Sequence, residues 1–267
     1  MEKIRGLAKR IEEEGSRTTP LSIRKFLIGS GLSAPLDKKN TEILMITGCY
    51  VPYSSIEGFI SLVKLLKHFG VDFTFLEKEY CCSEPLLQKA KTKEEKDAAT
   101  KLAENFVNRN TAATKKLGAK RVASVCLGCA SMMKQYSDPN FGLELLYYPN
   151  LLLELNPKME YHGKEKVGYF VPCMRHHLAY APKAKEIDLM SASSLLNSVE
   201  GLNYVTFEGM CCVDNPYEAI REFKDKGVQR VVTQCFGCQA YLQGNSIGLG
   251  GPQIITLPEF MMESLVR

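Results

Sequence analysis

The chemistry legible in this chain is carried by ten cysteines that fall into two sets of the same form. The first set is Cys49, the vicinal pair Cys81-Cys82, and the pair in Cys126-Leu-Gly-Cys129. The second is Cys173, Cys211-Cys212, and the pair in Cys235-Phe-Gly-Cys238. Two thiols spaced C-x2-C can close on one metal centre; a lone C-x2-C is a weak signal, and one repeated in the same context is a strong one. In both copies a glycine (Gly118, Gly227) stands eight residues before the first cysteine of the pair. A short apolar strand carrying Val122 and Val125, or Val231 and Val232, separates glycine from cysteine. A helix then follows, with Ala130, Met132 and Met133 in the first copy and Ala240, Tyr241 and Leu242 in the second. Thiols at the start of a helix face N–H groups of positive potential, which favour thiolate and sulfide charge.

The readings of such sets differ in what they require. Buried structural thiols have no reason to repeat as a group of five. Disulfides pair cysteines, and five per set is odd. Zinc is satisfied by four thiolates in a tetrahedron and has no use for the fifth. A larger cluster with several iron atoms accepts all five, which favours iron–sulfur over zinc at both sets and leaves zinc as the alternative at the second.

The elements that must position these residues alternate strand and helix. A buried strand at Ile43-Leu-Met-Ile runs into Gly48-Cys49; a helix over residues 54–69 follows, and a strand over residues 71–76 leads toward Cys81-Cys82. A long charged helical region then precedes the first C-x2-C. From Val167 the pattern restarts: Val167-Gly-Tyr-Phe-Val runs into Pro172-Cys173, and Tyr204-Val-Thr-Phe runs toward Cys211-Cys212. Pro149 and Pro258 each lie twenty residues past the last cysteine of their set. The sequence therefore predicts an internal duplication: a first module over residues 42–160 and a second over residues 161–267. Each is an α/β unit with a parallel sheet, and the sites lie at the carboxyl ends of the strands.

Residues 1–41 read as a helical extension outside the repeat. Ile4, Leu7, Ala8 and Ile11 recur at helical spacing, and Thr19-Pro20 opens a second short helix through Ile23, Phe26 and Leu27. These helices are expected either to dock on a partner or to pack on the body of the protein.

A single cysteine, a Cys-Cys pair thirty-odd residues on, then C-x2-C resembles the cysteine-rich CCG domain. A tandem pair in one chain is similar to the B-type subunit of heterodisulfide reductase and its relatives, which include the heterodisulfide reductase-like complexes of sulfur oxidisers. The resemblance spans residues 42 to about 262. It implies two pseudo-symmetric Rossmann-like modules, each holding a noncubane [4Fe-4S] cluster on all five cysteines of its set. It further implies an oxidoreductase subunit that reduces or forms sulfur–sulfur bonds of a small or protein-bound thiol. The implied partners are a ferredoxin-like subunit of the C type and a flavoprotein subunit of the A type. The alternative is an electron-transfer CCG subunit of a succinate or fumarate reductase-type complex, with no substrate chemistry of its own.

Three features depart from the family pattern. Ser83 and Val213 stand where many members have glycine after the Cys-Cys pair. Between Cys82 and Cys126 there are 43 residues, but between Cys212 and Cys235 only 22. Met174-Arg175-His176-His177 follows Cys173, where members carry histidine directly after the cysteine, so His176 and His177 become candidate proton donors or zinc ligands. The shortened second module could hold a catalytic cluster, a relay cluster or zinc.

Composition excludes other classes. The chain has 45% apolar and 24% charged residues and a net charge of +4 without like-charged blocks, which gives no support for nucleic-acid binding. No apolar run reaches the roughly 18 residues of a membrane span, and the charged N-terminus lacks a secretory h-region. A cytoplasmic protein is expected, in which clustered cysteines imply metal or redox chemistry. Gly248-Leu-Gly-Gly251 lacks a following Lys-Ser or Lys-Thr and reads as a turn.

Overall fold

Each of the two repeats forms its own four-stranded parallel sheet, and the two sheets have identical connectivity. The computed structural model describes residues 2–266. Strands β1 (Ile43–Ile46), β2 (Phe73–Phe75), β3 (Arg121–Ser124) and β4 (Glu144–Tyr147) are ordered β2-β1-β3-β4. Strands β5 (Val167–Phe170), β6 (Tyr204–Phe207), β7 (Arg230–Thr233) and β8 (Gln253–Thr256) are ordered β6-β5-β7-β8. The expected α/β architecture of two parallel-sheet modules with a helical extension is thus observed. β1 and β5 are buried along their whole length, as strands covered on both faces must be.

The repeated glycines explain themselves here. Gly118 caps the Lys93–Leu117 helix at φ +79°, and Gly227 follows the Pro216–Asp225 helix at φ +65°. Both hold the left-handed conformation that ends a helix and turns the chain into the next strand, which glycine adopts without strain.

In this strand order the three cysteine-bearing loops of each repeat emerge from the same end of one sheet. Cys49 follows β1, Cys81-Cys82 follow β2 and Cys126 follows β3; Cys173, Cys211-Cys212 and Cys235 follow β5, β6 and β7 in the same way. Ligand sites of open parallel sheets lie at this carboxyl end, where neighbouring connections part to opposite faces.

The described chain divides into two compact units. One contains the chain through Pro52, Gly70–Tyr147 and His176–Ile187; the other contains Tyr53–Phe69, Tyr148–Arg175 and the chain from Asp188 onward. The Ile56–His68 helix, although it lies between β1 and β2 in sequence, belongs to the second unit. There it packs on the Leu257–Ser264 helix, and Gly58 lies directly against Thr256. Ser55 donates to Gln239 Oε1 at 2.6 Å in the same unit.

The N-terminal extension is part of the first unit. Ile4, Ile11 and Ile28 are 2%, 0% and 0% exposed, so its apolar face is buried in the body of the unit. For those residues this is the packing alternative of the two. Ile23 and Phe26 of the second short helix are exposed, and Arg24 is buried. The helix runs only from Leu21 to Lys25 before passing into a π-helical turn at Phe26–Gly31, which changes the face that each position presents. Among the described residues no helix is long and apolar enough to cross a membrane.

Candidate metal centre

In the first unit the five thiols form a continuous run. Cys49 Sγ lies 3.3 Å from Cys81 Sγ. Cys81 bonds its neighbour Cys82, Cys82 bonds Cys129, and Cys129 bonds Cys126. Cys81, Cys82 and Cys129 are buried, while Cys49 and Cys126 are half-buried and give the set an open edge. In the second unit Cys211 bonds Cys173, and Cys238 bonds both Cys212, at 3.3 Å, and Cys235. Four of these five are buried, and Cys173 is half-buried. All ten cysteines are free thiols, and the two sets predicted from spacing are the two groups brought together.

The backbone around each set fits a centre larger than one thiol pair. Cys126 and Cys235 are the N-cap residues of the helices Leu127–Tyr136 and Phe236–Gly248. Cys235 Sγ accepts the Cys238 N–H at 3.3 Å, and Cys211 Sγ accepts the Asp214 N–H at 3.5 Å. Such N–H···S bonds and the helix N-terminus stabilise thiolate. At Gly48, with φ +80°, a Cβ would stand 2.7 Å from Cys126 Cβ and 3.2 Å from Cys129 Sγ, so only glycine lets Cys49 approach the C-x2-C pair.

Five of the thiols, Cys49, Cys81, Cys129, Cys211 and Cys238, resist ionisation by themselves. Hydrogen bonding to Cys81, then burial, pushes Cys49 up. Although the Cys49 bond pulls Cys81 down, contact with Cys82 and burial push it well above the usual thiol range. Bonds to Cys126 and Cys82 raise Cys129, and bonds to Cys212 and Cys235 raise Cys238. Burial raises Cys211 to about 11. Cys82 goes down, to about 7, because Cys129 and Cys81 both donate to it. Crowded thiols of which several are pushed up by one another and by burial form a donor set that fits a multinuclear metal centre, whose charge offsets the thiolates.

Around the first set stand residues that spacing does not announce. The Glu79 carboxylate accepts from Gly48 N at 2.6 Å, Thr47 N at 2.9 Å and Arg24 Nη2 at 2.9 Å. Glu84 meets His177 Nδ1 at 2.8 Å, and both lie against Gly128 of the Cys126-Leu-Gly-Cys129 turn. His177, a candidate for the second set by sequence, is thus a partner of Glu84 in the first unit. Glu79 and Glu84 give no sequence signal beyond lying two residues from the Cys81-Cys82 pair on either side.

Residues 43–134 match the family model of the cysteine-rich domain, CCG. The D subunit of the heterodisulfide reductase of Methanosarcina barkeri is 32% identical over 168 residues, covering 55% of this chain and 40% of that protein. An uncharacterized iron-sulfur protein of Methanocaldococcus jannaschii is 24% identical over 67% of this chain and 33% of its own length. The chain spans about a third to two fifths of the length of the curated relatives it matches. A solved aspartate racemase homologue from Pyrococcus horikoshii shows 11% identity and a TM-score of 0.34, over 83% of this chain and 96% of its own. Over residues 43–134 this chain is thus similar to the CCG cysteine-rich domain, and over about half of its length it is similar to the heterodisulfide reductase D subunits.

Proposed function

We propose that this chain is an iron–sulfur subunit of a heterodisulfide reductase-like complex. Its two five-cysteine sets would each hold a [4Fe-4S] cluster of the noncubane kind. The observation that carries this reading is the continuous run of five thiols in the first unit, one more than zinc uses, with the second five grouped as a Cys173–Cys211 pair beside a Cys212–Cys238–Cys235 trio. When bound, such clusters supply electrons one at a time to a sulfur–sulfur bond, or take them from two thiols. The chain's own residues release the thiol protons, hold the sulfurs at the helix N-termini and bury them from water. The half-buried Cys49 and Cys126 leave the first set an edge that a thiol or disulfide substrate could approach.

The first set is the better candidate for substrate chemistry. Two helices, Glu84–Lys89 and Lys93–Leu117, lie between Cys82 and Cys126, whereas the single helix Pro216–Asp225 lies between Cys212 and Cys235. The longer segment supplies walls for an enclosed site, and the shorter one suits an electron relay. The partners would be a ferredoxin-like and a flavoprotein subunit, with the CCG subunit of a succinate or fumarate reductase-type complex as the second reading.

Anaerobic purification with iron, sulfide and zinc analysis and EPR tests the reading. Iron and sulfide near two four-iron clusters per chain support it. Zinc alone would overturn the redox role.

A further inference from the structure

We propose that the N-terminal segment, residues 2–31, is a positioning element for the first cysteine set, acting through Arg24 and Glu79. Arg24 and Glu79 are 6% and 5% exposed and pair at 2.9 Å. Arg24 also donates to Thr47 Oγ1 at 2.5 Å and to the Leu76 carbonyl at 3.1 Å. Glu79 uses one oxygen for Gly48 N–H and the other for Thr47 N–H and Oγ–H. One ion pair thereby joins three stretches: the extension, the turn that delivers Cys49, and the turn that delivers Cys81. Cys81 N–H itself donates to the Gly15 carbonyl at 2.6 Å. Between them, the Tyr80 peptide is gripped on both sides by Asn110, its N–H donating at 2.8 Å and its carbonyl accepting at 2.7 Å.

The second set cannot be held in this way. Counting back from its cysteines, Gly209 stands at the place of Glu79, and Val171-Pro172 at the place of Thr47-Gly48. Glycine offers no carboxylate, and proline has no N–H to donate. The extension itself occurs once in the chain. The device is therefore specific to the first set, and it is charge-balanced, since a buried carboxylate beside a metal centre is tolerable only with its cation. Outer partners of this kind fix ligand orientation, and their loss weakens metal retention by roughly 10–100-fold.

The proposal rests on the reading that the first set holds a metal centre, so its test includes a readout that needs no metal. In metal-free full-length protein, amide exchange at Thr47 and Gly48 should accelerate in Glu79→Gln and in Arg24→Leu, with Phe170 and Val171 unchanged. Arg24→Lys, which keeps the charge, should restore part of the protection. In anaerobically loaded protein, iron release to a chelator is followed with Cys212→Ala isolating the first set and Cys82→Ala isolating the second. Glu79→Gln should speed release from the first set about tenfold or more and leave the second unchanged. Equal acceleration at both sets would mean general destabilisation and would overturn the proposal, as would unchanged exchange and release. If wild-type protein takes up no iron, the functional reading falls and the exchange data alone decide this one.

Discussion

Glu79 stands two residues before Cys81, and a glycine, Gly209, stands at the matching place before Cys211. The same contrast recurs at Gly48 against Pro172 and at the helices that separate each Cys-Cys pair from its C-x2-C. Both sites share strand order, thiol count and a helix that begins at the C-x2-C cysteines. They differ in what holds the turns. The first set is braced by side chains from distant segments, namely Arg24, Asn110 and the Glu84–His177 pair. The second has local N–H···S bonds within its own loops, with Arg175 paired to Asp214 and Tyr148 Oη donating to the Gln234 carbonyl. Among the described contacts it has no buried ion pair of the Arg24–Glu79 kind. Repetition has kept the thiols and let the supports diverge, as expected if only the first set faces a substrate that demands a fixed geometry.

The strongest way to break this comparison is to remove the extension. Deleting residues 1–31 uncovers the sites of Ile4, Ile11 and Ile28, each worth about 1.5–3 kcal/mol of burial. It also strands Glu79 as a buried unpaired charge, which costs about 3–5 kcal/mol. Together these rival the whole stability of a domain, about 5–15 kcal/mol. Hydrogen exchange should show protection lost from β1, β2 and β3. Protection retained there, with only a partner lost, would restore the docking-arm reading of residues 1–41.

The contrast also marks what the sequence could disclose. The ten thiols, their division into fives and the parallel strands before them were legible because they are local patterns repeated at fixed spacing. The expected helix over residues 54–69 is present as Ile56–His68, but nothing local told that it packs with the Leu257–Ser264 helix of the second unit. Arg24 pairs with a carboxylate 55 residues away, and a buried ion pair leaves no periodicity to read. In the extension, helical spacing marks an apolar face but not what covers it; Ile4 and Ile11 are buried in the unit, while Ile23 and Phe26, beside the π-helical turn, are exposed. The strands β4 and β8 went unread, although Pro149 and Pro258, which mark the helices that follow them, were noted.

Next in size is the loss of one thiol from each set. Cys82→Ala should remove about half of the bound iron and destabilise the first unit, because metal binding contributes to folding free energy. Cys212→Ala should remove the other half and spare the first. Iron unchanged in Cys82→Ala would take that residue out of the ligand set. Zinc retained by Cys212→Ala alone would show that the second set is a four-thiolate site.

Titration separates one thiol of each set more gently. In metal-free protein Cys82 is lowered to about 7 by thiol bonds from Cys129 and Cys81, whereas burial raises Cys211 to about 11. The thiolate is the form that reacts with iodoacetamide. Alkylation of Cys82 should therefore climb as pH rises through 7 and level off by about pH 8, one unit above its pKa. Alkylation of Cys211 should still be climbing at pH 10. Mass spectrometry of each peptide reads both curves, and superimposable curves would erase this difference between the two thiols.

The finest comparison lies inside the repeated C-x-G-C turn. Gly128 and Gly237 occupy the same motif position. A Cβ at Gly128 would run into the Glu84 carboxylate and stand 3.3 Å from His177 Cε1. Glu84 is buried and held by His177, so its carboxylate can move aside only by giving up that bond. A Cβ at Gly237 meets nothing nearer than Cys235 Sγ at 3.6 Å, an ordinary contact. Neither glycine has a positive φ, so alanine is compatible with both backbones. In the helix alanine is favoured over glycine by about 0.8–1 kcal/mol, which should make Gly237→Ala neutral to slightly stabilising. Gly128→Ala has the same propensity gain but breaks a buried charge-assisted hydrogen bond of about 1.5–3 kcal/mol, so it should come out destabilising by about 1–2 kcal/mol. Denaturant midpoints of the two metal-free variants decide the matter. If Gly128→Ala is as stable as Gly237→Ala, the Glu84–His177 pair does not brace the first turn, and at this position the two sites are equivalent.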